Sequence, residues 1–363
     1  MSALTFPQSD TSRRIGDAER AAILADPGFG THFTDFMAHA RWSEGSGWSE
    51  DEIVPFGPIT LSPASAVLHY GQEIFEGMKA FRHDDGSVWT FRPEQNARRM
   101  QRSAARLALP ELPVEDFLAS ITALVRADEP WVPAPTGETS LYLRPFMYAS
   151  EPFLGVRASH AVDYLVIASP AGAYFPRGVQ PLVVWVTDAF ARAGAGGTGA
   201  AKCGGNYASS LLAKDEAGEQ GADEVMFLDS ETHTFIDELS GMNVFAITED
   251  QRILTPQLTG SILEGVTRAS ILQLAEDRGL TPVEERLAYD RVCEDLRAGR
   301  ITEMFACGTA AVINPIGEFR DRHGSVRVGD GGSGETTLSL REELTGIQYG
   351  RLEDRYGWMT RLV

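Results

Sequence analysis

Gly196-Gly197-Thr198-Gly199-Ala200-Ala201-Lys202-Cys203-Gly204-Gly205-Asn206-Tyr207 is the stretch on which the reading of this chain turns. Lysine occurs only at 79, 202 and 214, while arginine is abundant, so surface charge is supplied by guanidinium groups. A lysine kept among glycines points to a task arginine cannot perform, the attack of a neutral amine on a carbonyl. Glycine on both sides lets a backbone or a flat cofactor approach closely. Such an amine must be neutral near pH 7 rather than at its ordinary value of about 10.4, a change of about 4 kcal/mol that desolvation and neighbouring positive charge can supply. The plainer alternative is a turn lysine that is merely tolerated. Lys79 alternates along a strand, and Lys214 falls on a helix beside Asp215 and Glu216, so both have a structural account.

The loop also holds Gly194-x-Gly196-x-x-Gly199 after a strand, the dinucleotide fingerprint. That reading fails because Gly204-Gly205 is expected to hold off any helix until Asn206, leaving no helix start at the third glycine for a pyrophosphate. A phosphate loop of the Walker type fails as well, with Ala201 before the lysine and Cys203 where a magnesium-binding hydroxyl belongs.

The chain of 363 residues suits two domains. A net charge of -19 disfavours nucleic acid and anionic membranes as partners. Arg98, Arg99, Arg102 and Arg106 form the single basic cluster, on one helix. Three cysteines without Cys-x-x-Cys spacing and scattered histidines predict reduced thiols and no metal centre. Residues 1–20 carry acids and no apolar core, and 161–175 is too short and too charged to span a bilayer, so a cytoplasmic protein is expected.

Hydrophobic periodicity and turn residues predict a loose arm over 1–30 with a helix near Asp17 to Leu24. Strands follow at Ile59 to Leu61, Glu73 to Phe81 and Val88 to Phe91, and helices at Pro93 to Leu107 and Val114 to Arg126. Further strands are expected at Ser140 to Tyr148, Tyr164 to Ala168 and Leu182 to Thr187, with a helix from Asn206 to Glu219. The remainder reads as strands near 225–228, 234–238 and 243–248, helices at 265–278 and 290–298, a strand at 303–307 and a flexible turn at 330–334. Phe175-Pro176-Arg177-Gly178 marks the domain joint. The division is therefore a domain over 1–175, a joint over 176–189 and a domain over 190–363 that carries Lys202.

A pyridoxal cofactor on Lys202 would need a carboxylate at the ring nitrogen and donors for the phosphate. Asp237-Glu238 ends a strand where such a carboxylate could stand, or is an ordinary acidic turn. Gly265-Val266-Thr267 opens a helix whose amides suit a phosphate, and Gly308-Thr309 follows a strand.

In order along the chain stand Phe75-Glu76-Gly77-Met78-Lys79-Ala80-Phe81, Phe91-Arg92-Pro93-x-x-Asn96-x-x-Arg99-Met100, Leu143-Arg144-Pro145 and Gly172-Ala173-Tyr174-Phe175. They are followed by Lys202-Cys203-Gly204-Gly205-Asn206-Tyr207, Glu238-x-x-Gly241-Met242-Asn243 and Gly308-Thr309-Ala310. This series resembles the branched-chain amino acid aminotransferases of fold type IV, whose wider family includes D-amino acid transaminases and aminodeoxychorismate lyases.

The resemblance implies an α/β (α+β mixed) chain, with a smaller N-terminal α/β domain, a larger C-terminal pseudo-barrel domain and the site between them. It implies pyridoxal 5'-phosphate held on Lys202, with Glu238 at the ring nitrogen and Tyr207 at the phenolic oxygen. Arg99, Val266, Thr267 and Thr309 would hold the phosphate. An aromatic cage of Tyr70, Phe75, Tyr142 and Tyr174 would receive aliphatic side chains, Arg144 the distal carboxylate of glutamate, and Ala310 would help to seat the alpha carboxylate. Val156, on the loop Glu151 to Arg157, would close the site of a neighbouring subunit in a homodimer.

The implied reaction is ping-pong transfer of the amino group of leucine, isoleucine or valine to 2-oxoglutarate. Two departures from relatives stand out. Ser240 and Gly241 displace by one position a hydroxyl that some relatives have, and Ala311 and Asn314 stand where mammalian relatives carry Cys-x-x-Cys, so no thiol switch is expected. The rivals are a lyase or a D-amino acid transaminase on the same fold, and a protein that carries the cofactor without turnover.

Overall fold

The computed structural model describes residues 3–8, 14–172 and 178–363, which divide into two compact units. The first comprises Met1–Pro176, Ala201–Gly204 and Gly346–Val363, and the second Arg177–Ala200 and Gly205–Thr345. The expected joint residues Phe175, Pro176 and Arg177 lie outside the described residues. The segment 176–189 is not a linker throughout, because Leu182–Thr187 is an interior strand of the second unit's sheet. Lys202 also changes sides relative to the expected division. Its N–H donates to Ser103 Oγ at 2.9 Å and its carbonyl accepts from Phe75 N at 2.9 Å, which ties 201–204 to the first unit.

In the first unit, α1 (Asp17–Ala25) precedes the hairpin β1 (Phe36–Ser43) and β2 (Gly47–Pro55), and α2 (Val67–Tyr70) is a single turn. Then come β3 (Glu73–Phe75), β4 (Met78–Arg82), β5 (Val88–Phe91), α3 (Pro93–Arg106), α4 (Val114–Ala127), β6 (Ser140–Ala149) and β7 (Ala161–Ala171). Strand Met359–Arg361 completes an eight-stranded sheet, adding to β5 at one edge, with β1 and β2 at the other. Pro93 at the first helical position fixes the start of α3, whose Ala97, Met100 and Ala104 face the core while Arg98, Arg102 and Arg106 stay exposed.

The expected continuous strand from Glu73 to Phe81 is interrupted at Glu76-Gly77. Both flanks keep one register on β6, Phe75 opposite Phe146 and Met78 opposite Leu143, which leaves Pro145 opposite Glu76. Pro145 has no N–H to return, so the ladder opens there. The expected strand Ile59 to Leu61 does not form either. Pro58 and Pro63 flank it and remove donors, and the edge of the sheet is β2 instead.

Buried Asp128 follows α4 and accepts from Phe36 N at 3.3 Å. Burial pushes its carboxyl up to about 7, against the Thr34 hydrogen bond and with the Asp35 charge adding to the rise. The unfolded value lies near 3.8, so the folded state prefers the protonated acid and loses stability as pH rises between about 3.8 and 7. Asp128→Asn is therefore expected to raise stability above neutrality by on the order of 3 kcal/mol, a gain that vanishes below about pH 4. Thermal unfolding of both proteins across pH checks this, and a pH-independent difference would contradict it.

The second unit begins with β8 (Leu182–Thr187), followed by α5 (Gly204–Ala208), α6 (Leu211–Glu219), β9 (Glu224–Leu228), β10 (Ile236–Leu239), β11 (Asn243–Thr248) and β12 (Arg252–Pro256). It continues through α7 (Val266–Asp277), β13 (Thr281–Glu285), α8 (Tyr289–Arg297), β14 (Ile301–Gly308), β15 (Val312–Asp321), β16 (Gly324–Arg327) and α9 (Glu335–Gln348). Its nine-stranded sheet runs in the order β10, β9, β8, β15, β14, β11, β12, β13, with β16 paired to β15. The expected helix from Asn206 starts earlier, at Gly204, and breaks at Ser209-Ser210 into α5 and α6. Residues 330–334 form a turn that leaves Asp330 and Gly332 exposed and leads into α9. A Cβ at Gly334 would lie 2.1 Å from Glu303 Cδ, and the Glu303 carboxylate accepts from the N–H groups of Thr336 and Thr337, capping α9. Among the described residues no helix is long and apolar enough to cross a membrane, and no metal-binding cluster occurs.

Candidate active site

The glycines before Lys202 serve close approach rather than phosphate binding. A Cβ on Gly199 would sit 2.2 Å from the Ser261 carbonyl oxygen, and Ala200 N donates to Gly260 O at 3.0 Å. After Lys202, Gly204 N donates to Glu73 Oε1, and a Cβ at Gly204 would strike that carboxylate. Lys202 is thus delivered by a segment pinned on both sides.

Within the first unit its Nζ lies 4.7 Å from the centroid of the Phe75 ring. Burial, and then the Arg99 guanidinium, bring its amine down to about 8; Glu76 and Tyr142 oppose this and Arg144 assists. The Arg144 guanidinium carbon lies 4.7 Å from the Phe75 centroid, and its Nη2 donates to Tyr142 Oη at 3.1 Å. Gly77 makes room for that tyrosine, since a Cβ there would lie 2.2 Å from Tyr142 Oη. Lys202, Phe75, Tyr142 and Arg144 are therefore brought together.

Arg99 is differently engaged than its expected phosphate role alone requires. It forms a buried two-point pair with Glu76, Nε to Oε1 at 2.8 Å and Nη2 to Oε2 at 2.7 Å. Tyr70 separates from the expected cage in another way. It is partly exposed, and its hydroxyl donates to the Leu154 carbonyl, so it rides on the loop that carries Val156. Val156 is 90% exposed and Leu154 68%. That loop is braced by Arg157, whose guanidinium pairs with both oxygens of Glu151 at 2.9 and 2.7 Å. Tyr174, the fourth expected cage residue, lies outside the described residues.

In the second unit the carboxylate expected at a ring nitrogen is Glu238, on β10 and 2% exposed. Its Oε1 accepts from Leu263 N at 2.8 Å and from Arg192 Nη1 at 2.8 Å, and its Oε2 from Asn243 Nδ2 at 3.2 Å. Arg192, itself buried, also donates to the carbonyls of Gly199 and Ser261 at 3.3 and 3.1 Å. Strand alternation turns Asp237 to the opposite face, into a cavity of about 250 Å³ shared with Asp229, Phe235 and Arg286. Burial raises its carboxyl to about 6, against the Ser261 hydroxyl that donates to it. The two neighbouring acids thus have separate environments.

Tyr207 lies on α5 with Gly241 against its ring, a Cβ there standing 3.7 Å from Cε1. Val266 and Thr267 open α7 after Gly265, whose missing side chain admits Asn243 Oδ1 to 2.1 Å from where a Cβ would stand. Thr309 and Ala310 form the turn after β14, and Val312 just beyond has φ +63°. That is costly for a β-branched residue. Arg341 holds the turn by donating to the carbonyls on either side, Ala311 and Ile313, at 2.6 Å each. The displaced hydroxyl of Ser240 donates to Glu224 Oε2 at 2.7 Å, and Lys214 pairs with the other oxygen of that carboxylate at 2.7 Å. Cys203, Cys293 and Cys307 are buried free thiols.

Both sets of residues fit a pyridoxal 5'-phosphate group. The first offers an amine of lowered basicity against an aromatic face, the second a buried carboxylate fixed by three donors and the N–H groups of a helix start. Sequence reasoning missed Arg192, Asn243 and the Leu263 amide around Glu238, and Glu76 and Asn96 around Arg99.

Residues 73–319 match the family model of amino-transferase class IV, and the chain belongs to that family. Within it the chain groups with the branched-chain-amino-acid aminotransferases: it is 51% identical over 362 residues to that of Mycolicibacterium smegmatis, covering 99% of this chain and 98% of the relative. The branched-chain amino acid aminotransferase structure from Escherichia coli superposes with a TM-score of 0.74 at 27% identity, covering 90% of this chain and 100% of that one. The T.th. branched-chain amino acid aminotransferase, solved with pyridoxamine 5'-phosphate, gives 0.73 at 30% identity, covering 90% and 99%.

Proposed function

We propose that this chain moves the amino group of L-leucine, L-isoleucine or L-valine to 2-oxoglutarate in a reversible ping-pong reaction that uses pyridoxal 5'-phosphate. The carrying observation is the Lys202 amine, brought to about 8 and set over Phe75 beside Arg144. Bound, the cofactor supplies an aldehyde that receives the amino group and a protonated ring that accepts electron density. Lys202 Nζ takes the proton from the substrate's alpha carbon, for which a lowered basicity near neutral pH is suited. Glu238, paired with Arg192, would hold the proton on the ring nitrogen, and Tyr207 would donate to the phenolic oxygen. Arg99, the first amides of α7 and Thr309 are the groups that would hold the phosphate.

Phe75 and Tyr142 present apolar surface to an aliphatic side chain, while Arg144 can pair with the distal carboxylate of glutamate, which lets one pocket serve both half-reactions. Ala310 seats the alpha carboxylate. Val156 and Tyr70 belong to a surface offered to a second copy in a homodimer, and a cytoplasmic location belongs to the same reading.

The test is the visible absorbance of the purified protein before and after L-leucine. Loss of a yellow band with L-leucine but not with D-alanine, together with borohydride trapping of the cofactor on Lys202, is the expected result. Loss with D-alanine alone would favour the D-amino acid transaminase, and a trapped cofactor on Lys79 or Lys214 would end the assignment.

A further inference from the structure

The segments Phe75-Glu76-Gly77 and Asn96-x-x-Arg99 both bear on the site, yet the roles assigned above leave Glu76 and Asn96 without one. Glu76 is 0% exposed. It accepts from Arg99 Nε and Nη2 at 2.8 and 2.7 Å and from Asn96 Nδ2 at 2.8 Å. Asn96 also donates to the Gly77 carbonyl at 3.4 Å, so the start of α3 is fastened to the opening between β3 and β4. A buried carboxylate carries a large desolvation penalty, and packing α3 on the sheet does not require one, since Ala97, Met100 and Ala104 already bury there.

The charge does have a neighbour that responds to it. Burial acts against ionisation of Glu76, and the Arg99 charge, the Arg99 hydrogen bonds and the Lys202 charge outweigh it, holding the carboxyl below its ordinary range. We propose that Glu76 is a positioning residue that holds the Arg99 guanidinium in one orientation and balances its charge where the Lys202 amine stands. The inference rests on the reading that Lys202 carries the cofactor.

The groups acting on the amine are named by its surroundings. Arg99 and Arg144 favour loss of its proton, and Glu76 and Tyr142 favour retention. Tyr164, deep in the sheet, feels Glu76 as well and is raised chiefly by burial. Removing the Glu76 charge leaves Arg99 unopposed, so the amine becomes available at lower pH. Retaining the charge on a shorter side chain leaves the balance but loosens the Arg99 fork.

The experiment labels the cofactor-free protein with an acylating reagent across pH and follows Lys202 by peptide mass spectrometry, with Lys214 as an internal reference. In Glu76→Gln the Lys202 midpoint is expected to fall by about one pH unit, roughly tenfold more neutral amine at a given acidic pH, with Lys214 unchanged. An unmoved midpoint in a folded Glu76→Gln protein overturns the proposal, because a structural role would lower thermal stability alone. If that variant does not fold, Glu76→Asp is expected to keep the wild-type midpoint while releasing cofactor faster. A displaced midpoint with unchanged release overturns the proposal equally. Borohydride trapping on Lys202 of the wild-type protein separates the two readings. If trapping fails there, the cofactor assignment falls, and if it succeeds while the midpoint is unmoved, only the role of Glu76 falls.

Discussion

Lys202→Ala is expected to lower kcat/KM for L-leucine by about 10⁴-fold or more, because it removes the group proposed both to carry the cofactor and to move the proton. Lys202→Arg should lose as much. Arginine keeps the positive charge over Phe75, but it cannot give up a proton in the working pH range and so cannot act as nucleophile or base. The comparison isolates proton loss from charge. The fold should survive either change, since the Lys202 backbone, rather than its side chain, makes the bonds to Ser103 and Phe75. Steady-state transamination with 2-oxoglutarate, paired with thermal unfolding, reads both quantities. Arginine activity within about tenfold of wild type would mean that charge suffices, which would remove Lys202 from the chemistry.

What the sequence reveals here follows how local each signal is. Val88–Phe91, Leu182–Thr187 and Asn243–Thr248 form as strands where expected, being short apolar runs rich in β-branched or aromatic residues. The hairpin β1–β2 escapes notice because His39, Arg41, Glu50 and Asp51 interrupt its alternation. β15 escapes because Pro315 and Gly317 are residues that disfavour a strand interior. In the fold Pro315 faces Phe305 across the ladder, and Gly317 is needed because a Cβ would meet Gly331 O at 2.7 Å. The contiguous domain division misplaces Lys202 for a related reason. Its membership is decided by two backbone hydrogen bonds to residues about a hundred positions away, which leave no local pattern.

The candidate site divides in the same manner. Lys202 is singled out by its rarity and flanking glycines, whereas a strand end alone does not separate Glu238 from Asp237, and the resemblance makes that choice. Arg192 gives no signal among so many arginines, and the Leu263 amide has no side-chain identity to read. Glu76 stands inside a recognisable segment, yet its purpose depends on α3 bringing Asn96 and Arg99 across to it.

Glu238→Gln is expected to slow the half-reaction with L-leucine by about 10²- to 10³-fold while weakening cofactor retention far less, since the role proposed for the carboxylate acts on charge that develops only as the proton leaves the substrate. The same substitution strands Arg192. That guanidinium is 3% exposed, and its partner would be a neutral amide unable to balance it. Breaking a buried pair from one side typically costs about 3–5 kcal/mol, so a rate loss in the single variant could reflect a loosened β10 as well as a missing charge. The double variant Glu238→Gln with Arg192→Met separates the causes, because it removes both charges and relieves the stranded cation. Stability should return most of the way towards wild type, and the rate should remain low. Rapid-mixing absorbance on the loaded protein measures the rate, and thermal unfolding measures the stability. If the double variant regains the rate together with the stability, the carboxylate matters for holding the strand and not for the proton on the ring nitrogen.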